Sequence, residues 1–234
     1  MEIVKMNAEL NGEKKSSGSQ ILSAFLGKNR IVLLAILCLL VLGVVAYAVA
    51  FSVYSSSVKK NLDVVEMIEY SLLKDATDLE ESAATARQDT ALSNLEPYLK
   101  KGGIVGARAD MLAADIRMQR KEWDASRALW LDAAAKRRKT YLAPICNFNA
   151  AACSEELGDA ESALKYYLLA AENSEFTVRS RAYFDAGRVK ESLGDFEGAA
   201  DLYEQIASLE YSNDIWNDLA QTRLIALRIE GKIQ

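Results

Sequence analysis

Charge disappears from the chain between Ile31 and Val53, where 23 consecutive residues read IVLLAILCLLVLGVVAYAVAFSV. A helix of that length rises about 34 Å, enough to cross the hydrocarbon of a bilayer. The run is longer than the apolar core of an ordinary signal peptide. It also continues past the small-x-small triplets Ala46-Tyr47-Ala48 and Ala48-Val49-Ala50, so the pattern predicts an uncleaved anchor over 31–53. After Val58 the pattern changes. Apolar residues recur at helical spacing, short polar turns interrupt them, and strand-like alternation is missing, which predicts an all-α body.

The body repeats itself. KEWDASRALWLDAA from Lys121, GDAESALKYYLLAA from Gly158 and GDFEGAADLYEQIA from Gly194 align, with starting points 37 and 36 residues apart. Gly158-Asp159 and Gly194-Asp195 each follow a leucine. Glycine there can take the left-handed conformation that ends one helix, and the aspartate can cap the next. Small residues recur at Ser126, Ala163 and Ala199 and again at Ala133 and Ala170, where two helices must approach closely. Trp130, Tyr167 and Tyr203 recur between them, sized to fill the gap to the next repeat. On the preceding helices the small positions are Ala114, Ala151 and Gly187.

These residues resemble the tetratricopeptide repeat, a helix-turn-helix unit with a period of about 34 residues. The stretch LGD-F-xx-A over 193–199 is the clearest part of the likeness. The resemblance implies a solenoid of helical hairpins, and with the apolar run ahead of it the expected fold is all-α, a single transmembrane helix followed by that solenoid. The expected organisation is a short cytoplasmic tail over 1–30, the anchor, a degenerate first helix pair over 59–101, three repeats over 102–209 and a capping helix over 210–234. In the capping helix, Asp214, Asp218, Arg223 and Arg228 are expected around an apolar stripe of Ile215, Leu219 and Leu224. Trp216 is expected in the core.

Composition narrows the function. Histidine is absent, which excludes His-dependent triads, His-ligated metals and histidine pH switches. The glycines Gly102, Gly103 and Gly106 lack the Lys-Ser/Thr of a phosphate loop. No catalytic residue, cofactor or metal is expected, and the chain is read as a non-enzymatic protein. Net charge is −5, divided into +2 over residues 1–58 and −7 beyond them. An acidic body without a basic stripe argues against nucleic acid. Four basic residues stand shortly before the apolar run (Lys14, Lys15, Lys28, Arg30) and two follow it (Lys59, Lys60). That bias predicts a cytoplasmic N-terminus and an extracytoplasmic body.

By the family resemblance, the first helix of each pair lines a groove that binds proteins or peptide segments. The groove positions would be Arg108, Met111, Asp115, Met118 and Gln119 in the first pair. In the second they would be Ile145, Phe148, Asn149, Ala152 and Glu155, and in the third Arg181, Phe184, Arg188 and Glu191. A clamp for terminal carboxylates is not expected, because Met111 and Asp115 cannot donate to a carboxylate and only Asn149 and Arg181 fit it. The order of parts also resembles bacterial single-span inner-membrane proteins with a periplasmic tetratricopeptide-like domain, some of them ancillary subunits of the Sec translocon. That implies a scaffold serving translocation or periplasmic chaperones. The alternatives are a regulatory or sensor arm and a cell-envelope assembly or division factor.

Overall fold

The computed structural model describes residues 18–75, 80–174, 176–209 and 215–234. Residues 1–17 of the tail expected over 1–30, and Asp214 of the capping helix, lie outside the described residues. The described residues form nine helices and no strand. They are α1 (Gly18–Leu73), α2 (Glu81–Leu99), α3 (Gly103–Gln119), α4 (Trp123–Lys136), α5 (Leu142–Glu156), α6 (Ala160–Ala171), α7 (Arg179–Ser192), α8 (Phe196–Ala207) and α9 (Ile215–Ile229). The chain divides into two compact units, one ending at Ser57 and the other running from Val58 to Gln234.

In the first unit α1 carries the apolar run, and its leucines, valines and isoleucines from Ile31 to Val53 stand exposed, apart from the half-buried Leu33. It is the one helix among the described residues long and apolar enough to cross a membrane, with a most apolar window of mean hydropathy 3.0 and none of that window buried.

In the second unit successive helices end and restart by one recurring device. Gly158 and Gly194 hold positive φ (73° and 79°). At the first, Gly158 N–H donates to Glu155 O (2.8 Å) and Asp159 N–H to Ser154 O (2.9 Å). At the second, Gly194 N–H donates to Glu191 O (2.9 Å) and Asp195 N–H to Lys190 O (3.0 Å). The pairs close the last carbonyls of α5 and α7. The following aspartates cap the next helices, Asp159 accepting from Ser162 N–H at 3.1 Å and Asp195 from Gly198 N–H at 3.0 Å. The first repeat uses the same hydrogen bonds but places Lys121 at the glycine position, with φ 60°. A side chain in that conformation costs about 1–2 kcal/mol.

Small residues let the helices meet. Ala107, Ala114, Ala133, Ala150, Ala151, Ala163, Ala170, Ala186 and Ala199 are all fully buried. Trp130, Tyr167 and Tyr203 fill the spaces between pairs and are themselves buried. A Cβ at Gly187 would come within 2.5 Å of the Tyr203 ring, so this position requires glycine. The core continues from Val65, Ile68, Ala91 and Leu95 on α1 and α2 to Leu224 and Leu227 on α9. Cys146 and Cys153 lie fully buried within it as free thiols, and burial, aided by the Asp110 charge, pushes the Cys146 thiol up to about 12.

One ion pair is buried in this core. Asp110 of α3 is 1% exposed and accepts from Lys136 Nζ of α4, which also donates to Leu99 O at the end of α2 (2.6 Å). Burial pushes the Asp110 carboxyl up to about 6, against the lowering influence of Lys136. A raised carboxylate pKa means that its protonated form favours the fold, so its unfavourable contribution grows as pH rises from about 4 to about 6.

α9 departs from expectation. Its buried face is Ala220, Leu224 and Leu227, whereas Ile215 and Leu219 are 66% and 38% exposed. At 100° per residue Ile215 and Leu219 lie on the far side of the helix from Leu224, so the three cannot form one stripe. Arg223 points inward to Glu191 rather than forming part of an outer polar face.

Two outcomes follow from this packing. Lys121→Gly should raise stability by about 0.5–1 kcal/mol in urea unfolding by removing the left-handed side chain, whereas Gly187→Ala should lower it by about 1–3 kcal/mol. Lys136→Met should lower stability by about 3 kcal/mol at pH 8, where Asp110 is left charged and unpaired, and by clearly less at pH 5, where Asp110 is protonated.

Candidate functional site

The expected groove residues lie on α3, α5 and α7, the first helices of three successive pairs. The structure joins most of those on α5 and α7 into one layer. Glu155 accepts from both Nη atoms of Arg188 (2.8 Å each) and from the Tyr167 hydroxyl (2.6 Å). One repeat later Glu191 accepts from Arg223 Nε (3.1 Å), from Arg223 Nη2 and from the Tyr203 hydroxyl. The two clasps are equivalent. Each takes an acid from the last turn of a first helix, a tyrosine from its own second helix and an arginine from the next first helix. The carboxylates thereby satisfy buried phenols and tie neighbouring pairs together.

The first pair lacks the clasp. Trp130 stands 37 residues before Tyr167 and Met118 stands 37 before Glu155. The Trp130 Nε1 is buried without a hydrogen-bond partner among the described residues. Met118 and Met111 pack instead against the core around Ala114, Trp130 and Ala150.

Arg181 sits between two aromatic rings, its guanidinium carbon 5.0 Å from the Phe148 centroid and 5.3 Å from that of Trp216. Its Nε lies 3.6 Å from Asp185 Oδ2. Phe148 packs edge-on against Tyr167 at 5.2 Å and at a tilt of 44° against Phe176 at 5.8 Å. Phe184 lies 5.5 Å from both Tyr203 and Trp216. Phe148 and Phe184 are therefore half-buried structural rings, and Trp216 joins them as a half-buried platform under Arg181. Ile145 packs against the core near Phe176, and Asn149 and Ala152 are half-buried beside it.

At the other end of the layer the site residues turn toward α1 and α2. Arg108 pairs with Glu69 of α1 at 3.0 Å. Gln119 donates to Asp115 (2.9 Å) and accepts from Gln88 (3.0 Å). Glu69, Leu72, Ala84, Gln88, Asp115 and Gln119 help line an open cavity of about 370 Å³. A smaller one of about 170 Å³ adjoins it along Arg108, Met111, Asp115 and Trp130. Asp115 and Gln119 are exposed there, unlike the clasped acids further along. Among the described residues no group of three or more acidic or cysteine side chains could hold a metal ion.

Electrostatics follow the clasps. Burial opposes ionisation of Glu191, yet the hydrogen bonds from Arg223 and Tyr203 outweigh it and hold the carboxyl below its ordinary range. Burial pushes Asp185 upward despite Arg188 and Arg181. Tyr167 and Tyr203 are both held protonated, first by burial and then by the carboxylate each one faces.

Comparison with known proteins agrees with this geometry. The chain is 33% identical over 153 residues to a TPR repeat-containing protein of Treponema pallidum, and the match covers 64% of each protein. That likeness supports the tetratricopeptide family. The chain therefore spans less than two thirds of that relative's length. No family model matches the chain.

Arg223 was assigned to the cap by its sequence position, and the tyrosines were legible only as fillers. The signal for the clasp is nonetheless present, since Glu155 and Glu191 each precede a tyrosine by 12 residues and an arginine by 33 and 32. A depressed folded-state pKa stabilises the protein above the unfolded pKa, and that contribution is lost as pH falls through the folded one. Wild-type stability should therefore contain a loss below about pH 4.5 that is weaker in Glu191→Gln, read as the urea midpoint against pH.

Proposed function

We propose that the chain is a membrane-anchored, non-catalytic tetratricopeptide scaffold that holds protein partners at the cell envelope. The observation that carries this reading is the join of two unlike parts. An apolar run with none of its large side chains buried precedes a repeat body whose packing already satisfies its own charged and aromatic layer. Exposed apolar surface of that extent is stable in lipid, not in water.

On this reading residues 31–53 span the inner membrane, the positive flank stays cytoplasmic, and the body lies outside. Partners engage the α3–α5–α7 face. Its open end is the better docking region, because Asp115 and Gln119 are exposed and line a cavity whose size suits a few side chains. The occupant is an extended or helical protein segment that inserts an apolar side chain over Leu72 and Leu112 and presents donors to Asp115 and Glu69. Translocon subunits or periplasmic chaperones are the partner class in keeping with the order of parts.

The test is site-specific photocrosslinking from position 119 in intact cells, with products identified from membranes. One or a few discrete protein adducts should form, and Asp115→Lys should remove them while leaving the melting temperature within about 2 °C, since an exposed substitution costs little. Phe148→Ala and Phe184→Ala would be uninformative because they damage the layer itself. Adducts that persist undiminished in Asp115→Lys, or recovery of the chain in the soluble fraction, would defeat the proposal.

A further inference from the structure

α9 is apolar on two opposite faces. Ala220, Leu224 and Leu227 are buried against the preceding pair. On the outward side Ile215, Leu219, Ile225 and Ile229 are 66%, 38%, 56% and 82% exposed. With Thr222 and Ala226 they form one stripe, interrupted by the exposed Asp218, because all these positions fall within about 120° of arc at 100° per residue. Where a repeat array meets water, its outer face is ordinarily polar. Nothing among the described residues covers this stripe. The chain beyond α9 turns the other way, with Ile233 buried and Lys232 Nζ 4.5 Å from the Phe196 ring centroid.

The order of residues in the stripe is symmetric. Ile215 and Ile229 lie seven residues either side of Thr222, and Leu219 and Ile225 lie three either side. A two-fold axis at Thr222, perpendicular to the helix, would lay α9 antiparallel on a second α9. Ile215 then meets Ile229 of the other copy, Leu219 meets Ile225, and Thr222 meets itself. That reciprocity is the signature of an isologous contact. Charge agrees with the register: Asp218 would stand within one turn of Arg228 of the other copy, once on each side of the axis. Arg228 is available, since its own-chain contacts are both long, a 3.6 Å approach to Glu204 in which both side chains are at least half exposed and a 3.5 Å hydrogen bond from Nε to Gln234 O.

We propose that this face is a homodimer interface, in which α9 of one copy pairs antiparallel with α9 of a second about a two-fold axis at Thr222. It goes beyond the scaffold reading and does not use the α3–α5–α7 face, so partner and second copy occupy different surfaces. A 15-residue helix is about 22 Å long, so the contact is shorter than a stable interface of about 800 Å² per partner requires. The pair is therefore weak in dilute solution and filled when copies are confined, as they would be by a shared membrane.

The experiment uses the full chain with Cys38→Ser, since Cys146 and Cys153 are buried. Cells carrying Thr222→Cys are treated with a short linker joining two thiols, and membrane and soluble fractions are scored separately. A covalent dimer is expected for Thr222→Cys. Ile215→Cys and Ile229→Cys should link weakly alone and at least tenfold better when co-expressed. Adding Ile225→Asp should abolish the link without lowering the melting temperature, because that side chain faces solvent. A Thr222→Cys chain that remains monomeric in membranes overturns the pairing, and so does equal self-linking at position 215, which signals a parallel arrangement. Protection of Thr222→Cys from water-soluble thiol reagents by neutral phosphatidylcholine vesicles, without any dimer, assigns the stripe to lipid and also overturns it. A chain found soluble yet linked refutes the anchor and keeps the pairing. A soluble chain that stays unlinked at high protein concentration refutes both.

Discussion

Every helix pair in the body depends on helices approaching closely enough for backbone to meet side chain, and the approach is made through alanine and glycine. Ala114, Ala133, Ala151, Ala170 and Ala186 are fully buried, and Gly187 accepts the face of the Tyr203 ring where even a methyl group would not fit. The core thus gains its apolar area from many small contacts and a few large rings. Trp130, Tyr167 and Tyr203 are the large rings, one per pair, and each reaches the boundary with the next pair. A single pair could not bury such a ring by itself, so the stacking of pairs follows from the sizes of the side chains.

Charge is arranged around those rings. A buried phenol needs a partner, and Glu155 and Glu191 supply it, which in turn brings Arg188 and Arg223 across from the neighbouring first helix. Polar satisfaction and the spacing between pairs are thereby one interaction. The first pair has Met118 where the acid would stand, so the buried Trp130 N–H finds no acceptor and no arginine is drawn across. Its polar face is left to Asp115, Gln119 and Arg108, which reach toward α1 and α2 instead. The region proposed for a partner is the region where the internal clasp is missing.

The repeat was legible because its punctuation is local. Gly158-Asp159 and Gly194-Asp195 state a helix end and a helix start in two residues, and the structure uses them so. Lys121 was legible only by alignment, since a lysine carries no signal for the left-handed region that it occupies. The candidate face was half legible. The family resemblance indicated which residues share a side, but whether Phe148 and Phe184 meet solvent or one another depends on Tyr167, Tyr203 and Trp216, which arrive from other helices. The same limit explains α9. Its two apolar faces look like one excess of hydrophobic residues until a neighbour decides that Leu224 goes in and Ile215 stays out.

Cys146 lies at the centre of the second pair, fully buried and with its thiol held far from ionisation. A thiolate is the reactive form of cysteine, so neither oxidants nor alkylating reagents can attack this atom while the pairs remain closed. Its chemistry is therefore a clock for opening. The rate at which Cys146 becomes modified counts how often α5 parts from its neighbours, and it would register the grip of any bound partner on the array without a label being added to the protein.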